Sequence, residues 1–232
     1  MKTRKSLSER LIQRFFYKYY SRNLLYELQI RARSEAADYV QNHMESATIF
    51  PTHRDIVRFA AKQAPKDGLF LELGVATGNT IRELAAAIPS GATIFGFDGF
   101  SGLPGDWSGH VETAGAFRQK SVPKVPDNAK LVIGLFDETL PGFMAANESP
   151  VSLAHVDCDL YASTKAVLDH IGSRLVPGSL ILFDEYFNYP GWRLHEYKAW
   201  QEFCAKAHVR YSYLGFSALD GRVLVRIDEI KT

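Results

Sequence analysis

The amino-acid sequence predicts an α/β fold: a doubly wound, mostly parallel sheet of seven strands with helices on both faces. Three observations lead to this prediction. From residue 53 onward, apolar segments of strand length alternate with helical segments, as is typical of parallel sheets. The segment 69–80 joins a continuous apolar run to a glycine turn. The segment 209–227 indicates a closing hairpin, which would add an antiparallel edge.

Residues 1–50 are predicted to form a helical extension that precedes a main domain at residues 51–232. Within it, residues 6–34 show an apolar stripe at helical spacing with basic residues mostly outside it. We interpret the stripe as a surface that docks on its own domain or on a second subunit, and weak contact with a membrane surface is the alternative. The stripe contains Leu7, Leu11, Ile12, Phe15, Phe16, Tyr19 and Tyr20, and the basic residues are Arg10, Arg14, Lys18 and Arg22.

The remaining elements follow from periodicity and turn residues. Helices are expected at residues 53–64, 79–88, 139–146, 162–175 and 193–207. Strands are expected at residues 69–73, 93–98, 130–135, 151–156 and 179–183, and the hairpin at residues 209–216 and 222–227. A long loop at residues 99–128 is rich in Gly, Pro and Trp, and we expect it to cover a substrate.

The loop after the first strand of the main domain locates a cofactor site. Gly74 and Gly78 permit a sharp turn and a close approach to a ligand, and Asn79 or Thr80 is expected to cap the next helix. Ala76 stands where the dinucleotide fingerprint requires its second glycine, which weakens an NAD assignment.

Two acidic residues accompany this loop. Glu72, two residues before Gly74, is expected to lie under the loop, where it would favour a cationic ligand or orient its backbone. S-adenosylmethionine is such a ligand, with a sulfonium group, an ammonium group and no phosphate. Asp98 ends the next strand, where a carboxylate can accept hydrogen bonds from ribose hydroxyls. Because NAD proteins use the same device, Asp98 does not choose between the two cofactors.

Four sequence blocks together resemble a known family. They are Glu-x-Gly-x-x-x-Gly at residues 72–78, FDGFSGLP at residues 97–104, DCDLYAST at residues 157–164 and PGSLILFDEY at residues 177–186. In this order they are similar to the macrocin O-methyltransferase (TylF-like) family of class I S-adenosylmethionine-dependent methyltransferases. The resemblance implies a Rossmann-like sheet and methyl transfer to a small hydroxylated acceptor such as a sugar, a glycoside or a natural-product intermediate.

The predicted cofactor-binding residues lie in the first two blocks, in the two residues that follow the glycine turn, and directly after the strand predicted at residues 130–135. They are Glu72, Gly74, Thr77, Gly78, Asn79, Thr80, Asp98, Gly99, Phe100, Ser101 and Phe136.

Acidic pairs end two neighbouring strands, where like charges need compensation. The family resemblance implies Mg²⁺ at this place, held by Asp157, Asp184 and Glu185, although Glu185 stands where the family more usually has Asp. The candidates for proton removal from the acceptor are Asp159, His195 and, where it is not committed to the metal, Asp157.

Composition excludes several classes of protein. The net charge is +1, so no global field recruits nucleic acid. No apolar run is long enough to cross a bilayer, and two cysteines without CxxC spacing favour a reducing compartment, so we expect a cytoplasmic protein. Because a stripe as aromatic as that of residues 6–34 is commonly an interface, we also expect a homo-oligomer. An NAD(P)-dependent oxidoreductase and a non-catalytic nucleotide-binding module remain the alternatives.

Overall fold

The computed structural model describes residues 7–231 and confirms the predicted fold class. Residues 1–6 of the predicted N-terminal extension, and Thr232, lie outside the described residues. The chain forms one mixed sheet with helices on both of its faces. Among the described helices, none is both long and apolar enough to cross a membrane.

Most elements lie within a few residues of their predicted positions. The helices are α1 (Leu7–Phe16), α2 (Leu24–His43), α3 (His53–Gln63), α4 (Asn79–Ala87), α5 (Phe136–Ala146), α6 (Tyr161–Ile171) and α7 (Glu196–Ala207), with a π-helical turn at Tyr17–Ser21 and 3₁₀ turns at Gly172–Arg174 and Trp192–Leu194. The strands are β1 (Thr48–Phe50), β2 (Leu69–Leu73), β3 (Ile94–Asp98), β4 (Ala129–Ile133), β5 (Val151–Val156), β6 (Leu180–Phe183), β7 (Arg210–Ser217) and β8 (Val223–Glu229).

The sheet has eight strands in the order β1-β7-β8-β6-β5-β2-β3-β4, so the predicted count of seven is wrong by one. The additional strand, β1, is three residues long and pairs in parallel with β7. So short a segment, ending immediately before Pro51, carries too little periodicity to be recognised. The C-terminal hairpin is confirmed, with β8 antiparallel to both β6 and β7.

The two faces of the sheet bury different helices. Helices α3 and α4 cover one face, and α2, α5, α6 and α7 cover the other. Every residue of β2 is buried, as expected for a central parallel strand covered on both sides. The parallel strands β2, β3, β4, β5 and β6 therefore end at one edge of the sheet, and the loops that follow them lie together.

Tyrosine hydroxyl groups attach helix α2 to the sheet. The hydroxyl of Tyr213 in β7 lies 2.6 Å from that of Tyr39 in α2, 2.8 Å from that of Tyr186 and 3.1 Å from that of Tyr211. Gln201 of α7 donates to Tyr186 and Tyr211. Tyr213 is thus the centre of a network that spans α2, α7 and the outer part of the sheet.

We predict that Tyr213→Phe destabilises the protein by on the order of 1–3 kcal/mol, because several buried hydroxyls lose a partner at once. The matched control is Tyr197→Phe, since the Tyr197 hydroxyl has no hydrogen-bond partner within residues 7–231. Urea unfolding followed by circular dichroism measures both. Equal free energies of unfolding for the two variants would contradict a central role for the Tyr213 hydroxyl.

Candidate active site

A cavity of about 480 Å³ opens at the carboxyl ends of β2, β3, β5 and β6. Its walls come from the glycine loop after β2, the segment after β3, the start of α5, and the acidic segments after β5 and β6. Part of the long loop between β3 and β4 closes it, with Leu103, Trp107 and Phe117 among the lining residues. The position agrees with the general location of ligand sites in open α/β sheets.

The glycine loop needs Gly74 for a steric reason. Gly74 has a φ of +100°, and a Cβ atom there would lie 1.9 Å from the carbonyl oxygen of Asp157. The backbones that follow β2 and β5 therefore touch at this point. Gly78, with a φ of +77°, is the residue that begins helix α4. The expectation that Asn79 or Thr80 caps this helix is wrong, because both lie within the helix and Gly78 supplies the left-handed turn.

Asp98 braces this loop with its carboxylate. One oxygen, Oδ2, accepts hydrogen bonds from the backbone amides of Val75 (2.9 Å) and Ala76 (2.8 Å). The other, Oδ1, accepts from the amide of Phe100 (2.6 Å). A carboxylate offers about four acceptor positions, so Asp98, which lines the cavity, retains capacity for a ligand. Its role in holding the loop was not foreseen from the sequence.

Three carboxylates line the opposite side of the cavity without a hydrogen-bond partner among the described residues: Asp157, Asp159 and Glu185. Burial and the charge of Asp184 raise the pKa of each. The pKa of Asp157 lies well above its usual range, that of Asp159 is about 7 and that of Glu185 is about 9. Groups perturbed in this way are typical of functional sites.

Glu196 holds the two acidic segments in place. It is fully buried at the start of α7, and it accepts hydrogen bonds from the amides of Cys158 (3.2 Å) and Glu185 (3.0 Å). Burial raises its pKa to about 8, although these two bonds oppose the shift. The only signal in the sequence is an acidic residue in the first turn of a helix, which is too common to single out.

A buried chain of charges lies beneath the acidic edge. His155 in β5 places Nδ1 3.3 Å from Glu72 and Nε2 3.1 Å from Asp184. Arg222, just before β8, binds Asp184 through Nε (2.7 Å) and Nη2 (2.8 Å) and binds Asp220 through Nη1 (2.7 Å). Although burial lowers the pKa of His155, the two carboxylates outweigh it and raise that pKa to about 10. His155 is therefore a cation at neutral pH.

This arrangement clarifies where the predicted site residues lie. Glu72 is buried below the loop and faces His155, so its side chain is separated from the cavity wall. Of the other predicted cofactor residues, Thr77, Gly78, Asn79 and Thr80 form the turn and the start of α4, and Phe100 packs into the core. Those among the cavity lining are Gly74, Asp98, Gly99, Ser101 and Phe136.

His195 occupies a different position from the one expected of a base. It lies behind Trp107, where its Nε2 is 2.8 Å from the carbonyl oxygen of Ser108. Burial lowers its pKa, which keeps the ring neutral. Its contact with Ser108 attaches the long loop to the start of α7. Asp157 and Asp159 line the cavity, whereas His195 is absent from its described lining.

The predicted metal ligands divide into two kinds. His155, Asp157 and Asp184 each offer a donor atom within 4.8 Å of the others, but His155 is committed to two carboxylates. Asp184 forms two hydrogen bonds, one with His155 Nε2 and one from Arg222 Nη2, and Arg222 Nε lies 2.7 Å from its Oδ1 as an ion pair. Metal-ligating carboxylates are commonly held by such hydrogen bonds. Asp157 and Glu185 have unfilled acceptor positions. Oxygen donors of this kind fit a hard divalent cation.

Comparisons with known proteins agree with this geometry. The family model described as a methyltransferase domain matches residues 71–186, half of the chain. No curated protein sequence matches this chain. The structure is similar to that of CalS11, a calicheamicin methyltransferase, with 25% identity, a TM-score of 0.57 and coverage of 97% of this chain and 94% of that chain.

Two further structures show likeness of fold alone. The O-methyltransferase NovP has 21% identity and a TM-score of 0.55, with 75% of this chain and 78% of that chain covered. An O-methyltransferase from Bacillus cereus, in complex with SAH, has 14% identity and a TM-score of 0.52, with 94% and 96% covered.

We predict that Gly74→Ala destabilises the protein by more than about 3 kcal/mol, because the new methyl group collides with the Asp157 carbonyl. The control is Gly91→Ala, which has a similar φ of +86° but open space around the added atom. That variant should lose only about 1–2 kcal/mol from its left-handed backbone. Thermal unfolding of both variants tests the steric explanation, and similar losses would refute it.

Proposed function

This chain belongs to the methyltransferase domain family, and from that membership we propose that it transfers a methyl group from S-adenosylmethionine to an oxygen of a small hydroxylated acceptor. We further propose that it belongs to the macrocin O-methyltransferase (TylF-like) group and that Mg²⁺ assists the reaction. Similarity to a calicheamicin methyltransferase over nearly the whole chain supports a natural-product or sugar acceptor.

The cofactor proposal rests on the hydrogen bonds that the backbone amides of the glycine loop form with Asp98. A dinucleotide fold directs the free amides of its glycine loop at a pyrophosphate. Here the amides of Val75 and Ala76 already donate to Asp98, so the loop lacks that anion site. S-adenosylmethionine carries no phosphate and has two cationic groups. This suits a cavity whose lining, within residues 7–231, contains carboxylates and no Lys or Arg. This speaks against an NAD(P)-dependent oxidoreductase.

The free carboxylates argue against a non-catalytic module. Burial and the nearby charge of Asp184 raise the pKa of Asp157, Asp159 and Glu185, and Asp159 adds to the rise at the other two. Burying several carboxylates close together lowers the stability of the fold. A module that only binds a nucleotide does not require buried carboxylates of this kind. A reaction that requires proton removal from a hydroxyl group does use it.

The residues of the chain divide the work of methyl transfer. S-adenosylmethionine supplies the electrophilic methyl group when bound. Asp98 and the Gly74 backbone place the nucleoside end, and Trp107 with the long loop excludes water and orients the acceptor. Asp159 lines the cavity and accepts the proton of the acceptor hydroxyl. Asp157, Asp184 and Glu185 would hold Mg²⁺, whose chemistry is to orient two vicinal oxygens and to lower the pKa of the hydroxyl.

We predict that S-adenosylhomocysteine binds with micromolar affinity or tighter and that NAD shows no binding. Asp98→Ala should weaken S-adenosylhomocysteine binding by on the order of 1–3 kcal/mol, because a charged acceptor is lost and the loop loses its brace. Isothermal titration calorimetry measures both. Lys124→Ala, on the same long loop but outside the cavity lining, is the control. Unchanged affinity in Asp98→Ala would reject the cofactor assignment.

We also predict that Asp159→Asn and Asp157→Ala each bind S-adenosylhomocysteine normally but lose at least about 100-fold in methyl transfer, as expected for a lost base or orienting group. The assay uses labelled methyl donor and a panel of hydroxylated acceptors. The control is Asp137→Asn, an acidic residue that lies outside the cavity lining. If Asp159→Asn turns over at the wild-type rate, Asp159 is not the base, and another residue removes the proton.

A further inference from the structure

The N-terminal helical segment presents a large apolar surface that nothing in the described chain covers. We name residues 7–28 the amphipathic arm. Its apolar side chains are all at least 45% exposed, and none of those in the π-helical turn is buried. The sequence favours docking of this stripe on its own domain or on a second subunit. In the structure the stripe is exposed, so it does not dock on its own domain. The exposed residues are Leu7, Leu11, Ile12, Phe15, Phe16, Tyr17, Tyr19, Tyr20, Leu24, Leu25, Tyr26 and Leu28.

The aromatic side chains of the arm form one continuous face. The rings of Phe15 and Tyr19 lie 4.8 Å apart, and those of Phe16 and Tyr20 lie 5.1 Å apart. Tyr20 also meets Tyr26 at 5.1 Å, which extends the face into α2. Tyrosine rings with an apolar body and a polar hydroxyl suit the boundary between lipid and water.

Charge is distributed unevenly along the chain. Residues 1–33, which include the arm, contain nine Lys or Arg and two Glu, a net charge of +7, whereas the whole chain has +1. The arm itself, residues 7–28, contains four Lys or Arg and two Glu and carries +2. The remaining residues therefore carry −6. Within the arm, Arg10, Arg14, Lys18 and Arg22 form no salt bridge with any carboxylate in the described part of the chain. The arm is thus a cationic and apolar surface attached to an acidic body.

This combination favours a lipid surface over a second copy of the chain. Packing two arms against each other would bring together basic residues that outnumber the acidic residues of the arms two to one, which is unfavourable. An anionic bilayer accepts both features at once, since the apolar side chains enter the interface while the basic residues meet lipid phosphates.

We propose that the amphipathic arm docks on the surface of a bilayer that contains anionic lipid, lying in the plane of the interface. Leu11, Phe15 and Tyr19 enter the interface, and Arg10, Arg14 and Lys18 contact the headgroups. The catalytic domain is thereby held at the membrane. This proposal stands on the arm alone and does not depend on the acceptor or on the cofactor.

Vesicle sedimentation with the full chain tests the proposal. We expect binding to vesicles of phosphatidylcholine mixed with phosphatidylglycerol, weaker binding to phosphatidylcholine alone, and a loss of binding as salt is raised. Arg10→Glu/Arg14→Glu/Lys18→Glu should lower binding by at least about tenfold, and Phe15→Gln/Phe16→Gln should lower it similarly. Both variants should retain S-adenosylhomocysteine affinity, because every changed side chain is exposed.

The control is Lys62→Glu/Lys66→Glu/Lys231→Glu, which makes the same change in net charge at exposed positions outside the arm. Wild-type binding of this control supports a local surface, and an equal loss would overturn the proposal in favour of a general charge effect. Sedimentation equilibrium tests the alternative, in which a second copy of the chain covers the arm. A stable dimer that dissociates in Phe15→Gln/Phe16→Gln, together with no vesicle binding, would assign the arm to a second copy and overturn the proposal.

Discussion

The ion pair between Asp184 and Arg222 is the interaction on which the acidic edge of the sheet depends. A parallel sheet brings the ends of β2, β3, β5 and β6 together, and here several of those ends carry carboxylates. Burial by itself would raise the pKa of Asp184, but hydrogen bonding to His155 and the charge of Arg222 keep it lowered. The C-terminal hairpin supplies Arg222. The antiparallel addition to the sheet therefore provides, together with His155 of β5, the positive charge that lets Asp184 remain ionised in the interior.

The carboxylates of the site consequently fall into two groups with different physical tasks. Asp98, Asp184 and Glu196 are saturated or nearly so by amides or cations, and they fix the backbone and the neighbouring side chains. Asp157 and Asp159 make no such bonds and face the cavity. The first group thus holds the second in place, and burial together with the charge of Asp184 keeps the pKa values of Asp157 and Asp159 raised.

Much of the fold was accessible from the sequence because its signals are local. The apolar run of β2 and the glycine loop were placed correctly, and alternation of strands and helices defined the parallel sheet. Strand β1 was missed because its stability comes from pairing with β7, which lies more than 160 residues away. A three-residue strand is too short to show the alternation of apolar and polar residues by which strands are recognised in a sequence.

The site was accessible only where its residues follow strand ends. Asp157, Asp159 and Glu185 were singled out in this way, and the structure places them in the cavity wall. Arg222 and His155 were not, since the first follows a common turn signal and the second is one polar residue within an apolar strand. Their importance comes from cross-strand distances. His155 in the middle of β5, like Glu72 in β2, was a visible anomaly, because an ionisable group rarely occupies a buried central strand without a partner.

The brace formed by Asp98 has a consequence for the redesign of this pocket. Exchanging a carboxylate at this kind of position is an obvious route by which an engineer would seek to admit a phosphorylated nucleotide. In this protein the same substitution would release the amides of Val75 and Ala76 and leave the loop without its internal anion. In the proposed cofactor site, ligand preference and loop architecture are therefore coupled through a single side chain.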